Sequence, residues 1–255
     1  MIDIIIVNYN TTDLLLKSLA SIYETLKGIS ANIYIESNGP KDGIEHVKQI
    51  YPKVIVNTNK KNLGFSRAVN QAIKKSAAPF ILLLNPDTII KDGFFEPILN
   101  FIQQNHYVGV VGPKILNPDL SVQGSARSFP TFLTALFGRS SFLSRVFPNN
   151  RFTRGNIVTT SINGKTAMDV DWVSGACMLV RRKAIDDIGL MDEQFFMYWE
   201  DADWCRRMRH KGWKVVYAVE DRTPRVYPWM NEHFQPFTRR FFFQCEWLVG
   251  QRPKQ

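Results

Sequence analysis

The sequence lacks most of the features that disclose a chemistry at first sight. Its three cysteines, Cys177, Cys205 and Cys245, are odd in number, far apart and never in a CxxC pair. That spacing offers neither a disulfide framework nor a thiolate zinc site and fits a reducing compartment. No apolar run approaches the ~20 residues of a membrane-spanning helix; the strongest is Phe80-Ile81-Leu82-Leu83-Leu84. The opening stretch MIDIIIVNYN enters an apolar segment at once, without a basic region or a small-residue cleavage site, and does not read as a signal peptide. Both common phosphate-cradling fingerprints, GxGxxG and GxxxxGK[ST], are absent, so a bound nucleotide must be held by another arrangement. No internal repeat is visible.

What is present suits one sizeable α/β domain: 255 residues, 45% of them hydrophobic. The net charge of +9 favours partners that carry negative charge, whether nucleic acid, acidic lipid or phosphorylated substrate. No nucleic-acid motif and no basic stripe interleaved with aromatics accompanies it, so no nucleic-acid partner is expected. Short β-branched runs at Ile2–Val7, Asn32–Glu36, Val54–Asn57 and Phe80–Leu84 alternate with helical patterns at Asp13–Lys27, Gly43–Ile50 and Ser66–Ser76. That alternation predicts a mainly parallel sheet covered by helices. Ligands of such sheets bind beyond the carboxyl ends of the strands, here Asn8-Tyr9-Asn10, Ser37-Asn38, Asn59 to Phe65, and Asn85-Pro86-Asp87. Residues 117–169, rich in Ser, Arg, Asn, Phe and Pro, read as a long excursion. Regular structure is expected again at Ala176–Arg181, in a helix from about Lys183, in a helix over Asp201–Lys211, and in the strand Lys214–Val219.

Two acidic groups could carry chemistry. Asn85-Pro86-Asp87 puts one carboxylate at the sheet edge, and Mg²⁺ or Mn²⁺ take a few carboxylate oxygens together with substrate phosphates. The same triplet is ordinary turn chemistry. Glu200-Asp201-Ala202-Asp203 follows the aromatic run Phe195-Phe196-Met197-Tyr198-Trp199. Three carboxylates there could cap a helix, or one of them, partly desolvated by the rings, could be a base.

Five segments, in order, resemble the rhamnosyltransferase-type branch of family 2 glycosyltransferases, which have a GT-A fold: Ile4 to Asn10, Asn62 to Asn70, Leu84 to Asp87, Asp171 to Ala176, and Phe195 to Asp203. The resemblance implies a single catalytic domain over residues 1–221 that moves a sugar with inversion from a nucleotide-diphosphate donor to a saccharide acceptor. It implies donor contacts at Asn8, Tyr9, Asn10, Ser37, Asn62, Gly64, Phe65, Asn70, Asn85 and Asp87, with Asp87 also on a Mg²⁺ or Mn²⁺ ion. Asp201 would be the catalytic base, and Trp172, Gly175, Ala176, Trp199 and Glu200 would meet the acceptor. The implied donor is dTDP-L-rhamnose or a UDP-hexose, and the acceptor a growing lipid-linked polysaccharide. Three positions depart from the family pattern. Ser37 replaces a nucleobase-reading Asp, Asn85 replaces the first Asp of the DxD-type triplet, and Glu220 to Arg225 lacks a metal-binding His, for which His233 is a candidate substitute. The rival readings are a sugar nucleotidyltransferase, disfavoured by the missing Gly-rich loop after the first strand, and a non-catalytic relative that binds without turnover. Residues 222–255 combine six Lys/Arg, two Glu and eight aromatics. They read either as aromatics that complete the domain core or an oligomer interface, or as an interfacial segment resting on anionic lipid, which would make the expected cytoplasmic protein peripheral to the inner face of the plasma membrane.

Overall fold

The structure, a computed structural model, describes residues 1–40, 42–117, 119, 121–129 and 167–218, and the backbone of 226–228. The first half is the expected alternation: β1 (Ile2–Asn8), α1 (Thr12–Thr25), β2 (Ala31–Ser37), α2 (Ile44–Ile50), β3 (Ile55–Thr58), α3 (Phe65–Lys75) and β4 (Phe80–Leu84). There follow β5 (Thr88–Ile90), α4 (Phe95–Gln104), β6 (Val108–Pro113), β7 (Ala126–Arg127), β8 (Met168–Asp169), β9 (Trp172–Val173) and β10 (Cys177–Arg181). The last elements are α5 (Arg182–Ile188), α6 (Glu200–His210), β11 (Lys214–Ala218) and β12 (Val226–Pro228).

Eight strands form one sheet in the order β3-β2-β1-β4-β10-β6-β11-β8. Only β10 and β8 run against the rest. The central strands are buried on both faces, which is why they read as unbroken apolar runs. Period-two alternation then divides them between two cores: Ile4, Ile6, Leu82 and Leu84 face α1 and α4, while Ile5, Ile81, Leu83, Met178 and Val180 pack with residues of α3 and α6. Strand order reverses between β1 and β4, so the exits at Asn8 and Asn85 flank the switch point where such sheets bind ligands.

Strands β5 to β9, strand β12 and helix α4 were not expected. Strand β6, in the middle of the sheet, carries Gly109 and Gly112, residues that read as breakers. Here they admit close neighbours. A Cβ on Gly112 would lie 2.7 Å from the Val173 side chain, and one on Gly109 would lie 3.0 Å from Trp213 Cβ. Helix α4 contains Pro97, which is tolerated because it falls in the first turn. Cys177 and Cys205 are free and buried. Among the described residues no helix is long and apolar enough to cross a membrane.

Candidate active site

The exits of β1 and β2 are tied by a residue that did not stand out in the sequence. Asp42, almost wholly buried, accepts the Asn10 backbone N–H at 2.5 Å, the Ser37 hydroxyl at 2.8 Å and the Gly39 N–H at 3.0 Å. Its own carbonyl accepts the Thr12 hydroxyl. Asp42-Gly43 reads as a turn dipeptide, and only the fold brings its carboxylate beneath two strand ends. Asn8 is fully buried and its side chain is committed to Thr11 and Thr12. Ser37 donates its hydroxyl inward to Asp42. Tyr9 and Asn10 are the exposed residues of this turn, and Asn10 has φ +56°.

Beside that turn, Asn62 Oδ1 accepts the Gly64 N–H at 2.9 Å, and Asn38 bridges Asn59, Asn62 and the Gly64 carbonyl. Gly64 has φ +83° and ψ 173°, a region open essentially to glycine alone. A Cβ there would lie 2.5 Å from the Phe196 carbonyl oxygen. That carbonyl accepts the Phe65 N–H at 2.8 Å, so this loop and residues 195–199 form one joint. Asn70 lies elsewhere: its buried amide donates to the Met191 carbonyl and to Glu193 and accepts the Met191 N–H. Both of its N–H donors are used in clamping that loop to α3.

The two acidic groups meet across a short bridge. Gly175 donates its N–H to Asp201 Oδ2 at 2.9 Å, and the next residue, Ala176, accepts the Asn85 N–H at 2.9 Å. Asp87 lies two residues beyond Asn85, and its Oδ1 is buried without a partner. Burial raises its carboxyl above the ordinary value. An orphaned carboxylate oxygen fits one ligand position of Mg²⁺ or Mn²⁺, the remainder falling to phosphate oxygens and water. Among the described residues no group of three or more His, Cys, Asp or Glu could hold a metal ion. Glu220 to Arg225 and His233 lie outside the described residues. The backbone of β12 pairs with β5, Pro228 opposite Thr88, and so returns beside the residue that follows Asp87.

At the start of α6 no carboxylate occupies the cap position. Trp199 occupies that position, with φ +72° after Tyr198 at +70°, and makes no side-chain cap. Two successive bulky residues in the left-handed region store strain of the kind found at functional sites. Asp201 also accepts the Ala202 N–H at 2.8 Å. Burial raises its carboxyl, opposed by the Gly175 and Ala202 N–H groups and by the charge of Arg127. Glu200 is buried, and its Oε2 has no partner. Burial, and then the Asp201 charge, push its carboxyl up to about 8. Glu200 is thus raised far enough to hold a proton near neutral pH. Asp203 instead pairs with Arg207 at 2.8 Å. Trp172 and Trp199 lie 6.2 Å apart, the Trp172 Nε1 is buried without a partner, and Phe196, Met197 and Tyr198 are about half exposed along the rim.

Asn85, Asp87, Gly175, Ala176, Glu200 and Asp201 thus converge, with Trp172 and Trp199 beside them, while Asn62, Gly64 and Phe65 join the rim through Phe196. Such a site can accept a proton next to a sugar-sized aromatic platform. A relative from Mycobacterium tuberculosis, N-acetylglucosaminyl-diphospho-decaprenol L-rhamnosyltransferase, is 30% identical over 231 residues, 86% of this chain and 73% of its own. Rhamnosyltransferase WbbL of Escherichia coli strain K12 is 26% identical over 215 residues, 84% of this chain and 69% of its own. The crystal structure of GalNAc-T7 with UDP, GalNAc and Mn²⁺ has the same fold, with a TM-score of 0.66 at 14% identity. That match covers 89% of this chain, which spans only 43% of the solved one. The family described as glycosyltransferase like family 2 matches residues 2–242, and with the site and the GT-A fold this makes the chain a glycosyltransferase belonging to that family.

Proposed function

We propose that this glycosyltransferase inverts the anomeric centre as it moves L-rhamnose from dTDP-L-rhamnose, or a hexose from a UDP-sugar, onto a lipid-linked saccharide. Asp201 accepts the proton of the acceptor hydroxyl while that oxygen bonds to the anomeric carbon. The bond from that carbon to the nucleotide diphosphate breaks, and its electron pair leaves with the diphosphate. Glu200, holding its proton, donates a hydrogen bond to a sugar hydroxyl. Trp172 and Trp199 offer apolar faces to the C–H faces of the ring. Asp87 would hold Mg²⁺ or Mn²⁺, which when bound offsets charge on the diphosphate. The donor turn is Asn8–Asn10 with Asn62 to Phe65, and residues 1–221 form the catalytic unit.

The observation that carries this reading is the Gly175–Ala176 bridge: one backbone unit holds the Asp201 carboxylate and the turn that precedes Asp87. The rhamnose donor and lipid-linked acceptor are supported by what the M. tuberculosis relative is named for. The test is a panel of nucleotide sugars with Mn²⁺ or Mg²⁺ and a GlcNAc-diphosphate-lipid acceptor. Asp201→Asn, nearly isosteric, is expected to lower transfer by roughly 10²–10⁴ with donor binding intact. Comparable turnover by that variant would remove Asp201 from the role of base.

A further inference from the structure

We propose that Asp42 is a positioning residue for nucleotide binding: its carboxylate sets the Tyr9–Asn10 turn in the shape that meets the donor, an inference that rests on that turn being part of the donor site. Tyr9 is about half exposed, so its ring is presented by the backbone on either side of it. On one side is Asn8, fully buried, whose side chain bonds to Thr11 and Thr12. On the other is Asn10, in the left-handed region at φ +56°, whose N–H donates to Asp42 Oδ1 at 2.5 Å. Asn enters that region at low cost, but a free turn has other shapes open to it. A buried carboxylate opposite the N–H selects one. Its second oxygen, Oδ2, accepts the Ser37 hydroxyl at 2.8 Å and the Gly39 N–H at 3.0 Å, so a single carboxylate fixes the β1 exit against the β2 exit. The Asn38 N–H joins the same two exits through the Asn8 carbonyl at 2.7 Å.

A second buried aspartate in the same sheet shows what a purely structural tie looks like. Asp3, at the entry of β1, accepts the Asn32 amide at 2.8 Å, the Ser76 hydroxyl at 2.6 Å and the Ala78 N–H at 3.3 Å. Those partners belong to β2 and to the connection from α3 to β4, at the end of the sheet opposite the ligand crevice. Asp42 differs in what it holds. Two of its three donors are backbone N–H groups of the exit loops, and one of these belongs to the donor turn itself. Gly39 makes room for it: a Cβ there would lie 2.5 Å from Asp42 Oδ1 and 3.1 Å from Asn10 Oδ1. Gly39 is not in the left-handed region, so the site requires its missing side chain rather than its backbone freedom.

The test uses Asp42→Asn, which leaves one acceptor oxygen where there were two, so that either the Asn10 N–H or the Ser37–Gly39 pair faces an amide N–H. Affinity for UDP and for dTDP with Mn²⁺ is measured by calorimetry, Tm by thermal unfolding, and donor KM and kcat with dTDP-L-rhamnose and a GlcNAc-diphosphate-lipid acceptor. A turn that spends a tenth of its time in the binding shape binds about tenfold more weakly. Asp42→Asn is therefore expected to weaken both nucleotides roughly tenfold or more and to raise donor KM in proportion, with kcat at saturating donor within about twofold of the parent. Asp3→Asn is expected to lower Tm with nucleotide affinity unchanged. Gly39→Ala, which displaces the carboxylate without removing it, should reproduce the loss of affinity, and it gives the reading if Asp42→Asn does not fold. Parental affinity in folded Asp42→Asn and in Gly39→Ala, or an equal loss in Asp3→Asn, would overturn the inference. Tyr9→Ala and Asn10→Ala read the assignment beneath it. If both bind nucleotide as the parent does, the donor turn is misplaced and the inference falls with it; if they bind weakly while Asp42→Asn and Gly39→Ala do not, the role of Asp42 alone falls.

Discussion

Replacing Gly64 with alanine puts one methyl group into the joint where the Asn62–Phe65 loop meets residues 195–199. Two costs add. The backbone, at φ +83° and ψ 173°, is in a region that charges any L-residue about 1–3 kcal/mol. The new Cβ, 2.5 Å from the Phe196 carbonyl oxygen, forces a backbone atom to move and takes with it the Phe65 N–H bond to that carbonyl, about 1 kcal/mol more. The expected loss is about 2–4 kcal/mol, or roughly 5–15 °C in Tm for a domain of this size. Gly189 supplies the control. It has nearly the same backbone, φ +85° and ψ −178°, but nothing lies within 4 Å of its would-be Cβ. Gly189→Ala therefore carries the backbone cost alone. Thermal and urea unfolding of the two variants, followed by nucleotide binding at a temperature where both are folded, separates the terms. Gly64→Ala is expected to be the less stable of the two and to bind UDP or dTDP more weakly. If it unfolded no earlier than Gly189→Ala, the joint with Phe196 would not be a constraint and the reasoning would fail.

The Glu200 carboxyl is raised to about 8, so between about pH 4.5 and 8 the folded chain keeps a proton that the unfolded chain has released. Its contribution to stability is full below that window and is lost as pH rises through it. Glu200→Gln should therefore melt at least about 2 °C above the parent at pH 8.5 and gain nothing near pH 5; equal gains at both would refute the shift. Asp87→Ala should abolish the thermal stabilisation that UDP or dTDP confers in the presence of Mn²⁺, as should chelation of the parent, and stabilisation that survives EDTA would exclude metal from donor binding. Asn70→Ala should cost about 2–4 kcal/mol by stranding the Met191 N–H and carbonyl, measured by urea unfolding, with nucleotide affinity unchanged. A loss of affinity without a loss of stability would return Asn70 to the donor site.

Much of this protein could be read along the chain, because the features concerned are local. The apolar runs of β1 and β4, the helical period of α3 and the acidic start of α6 are recorded in consecutive residues, and their predicted bounds agree with the structure to within two residues. The turns at the ends of those strands followed from the sheet type alone. What could not be read was whatever depends on which surfaces approach one another. Gly109 and Gly112 look like breakers until Trp213 and Val173 press against them. Asn70 stands in a stretch that resembles a donor loop, yet its amide reaches 121 residues ahead to Met191. Asp42 is a turn residue by its neighbours and a buried tie by its partners, and Ser37 turns its hydroxyl to Asp42 because the β1 and β2 exits converge there. Local sequence determined the alternating strands and helices from β1 to β4, the start of α6 and the edge where chemistry would gather. Only tertiary structure decided which polar groups are already satisfied by one another and which, like Asp87 Oδ1 and Glu200 Oε2, are buried without a partner, since satisfaction depends on distances that no spacing in the chain encodes.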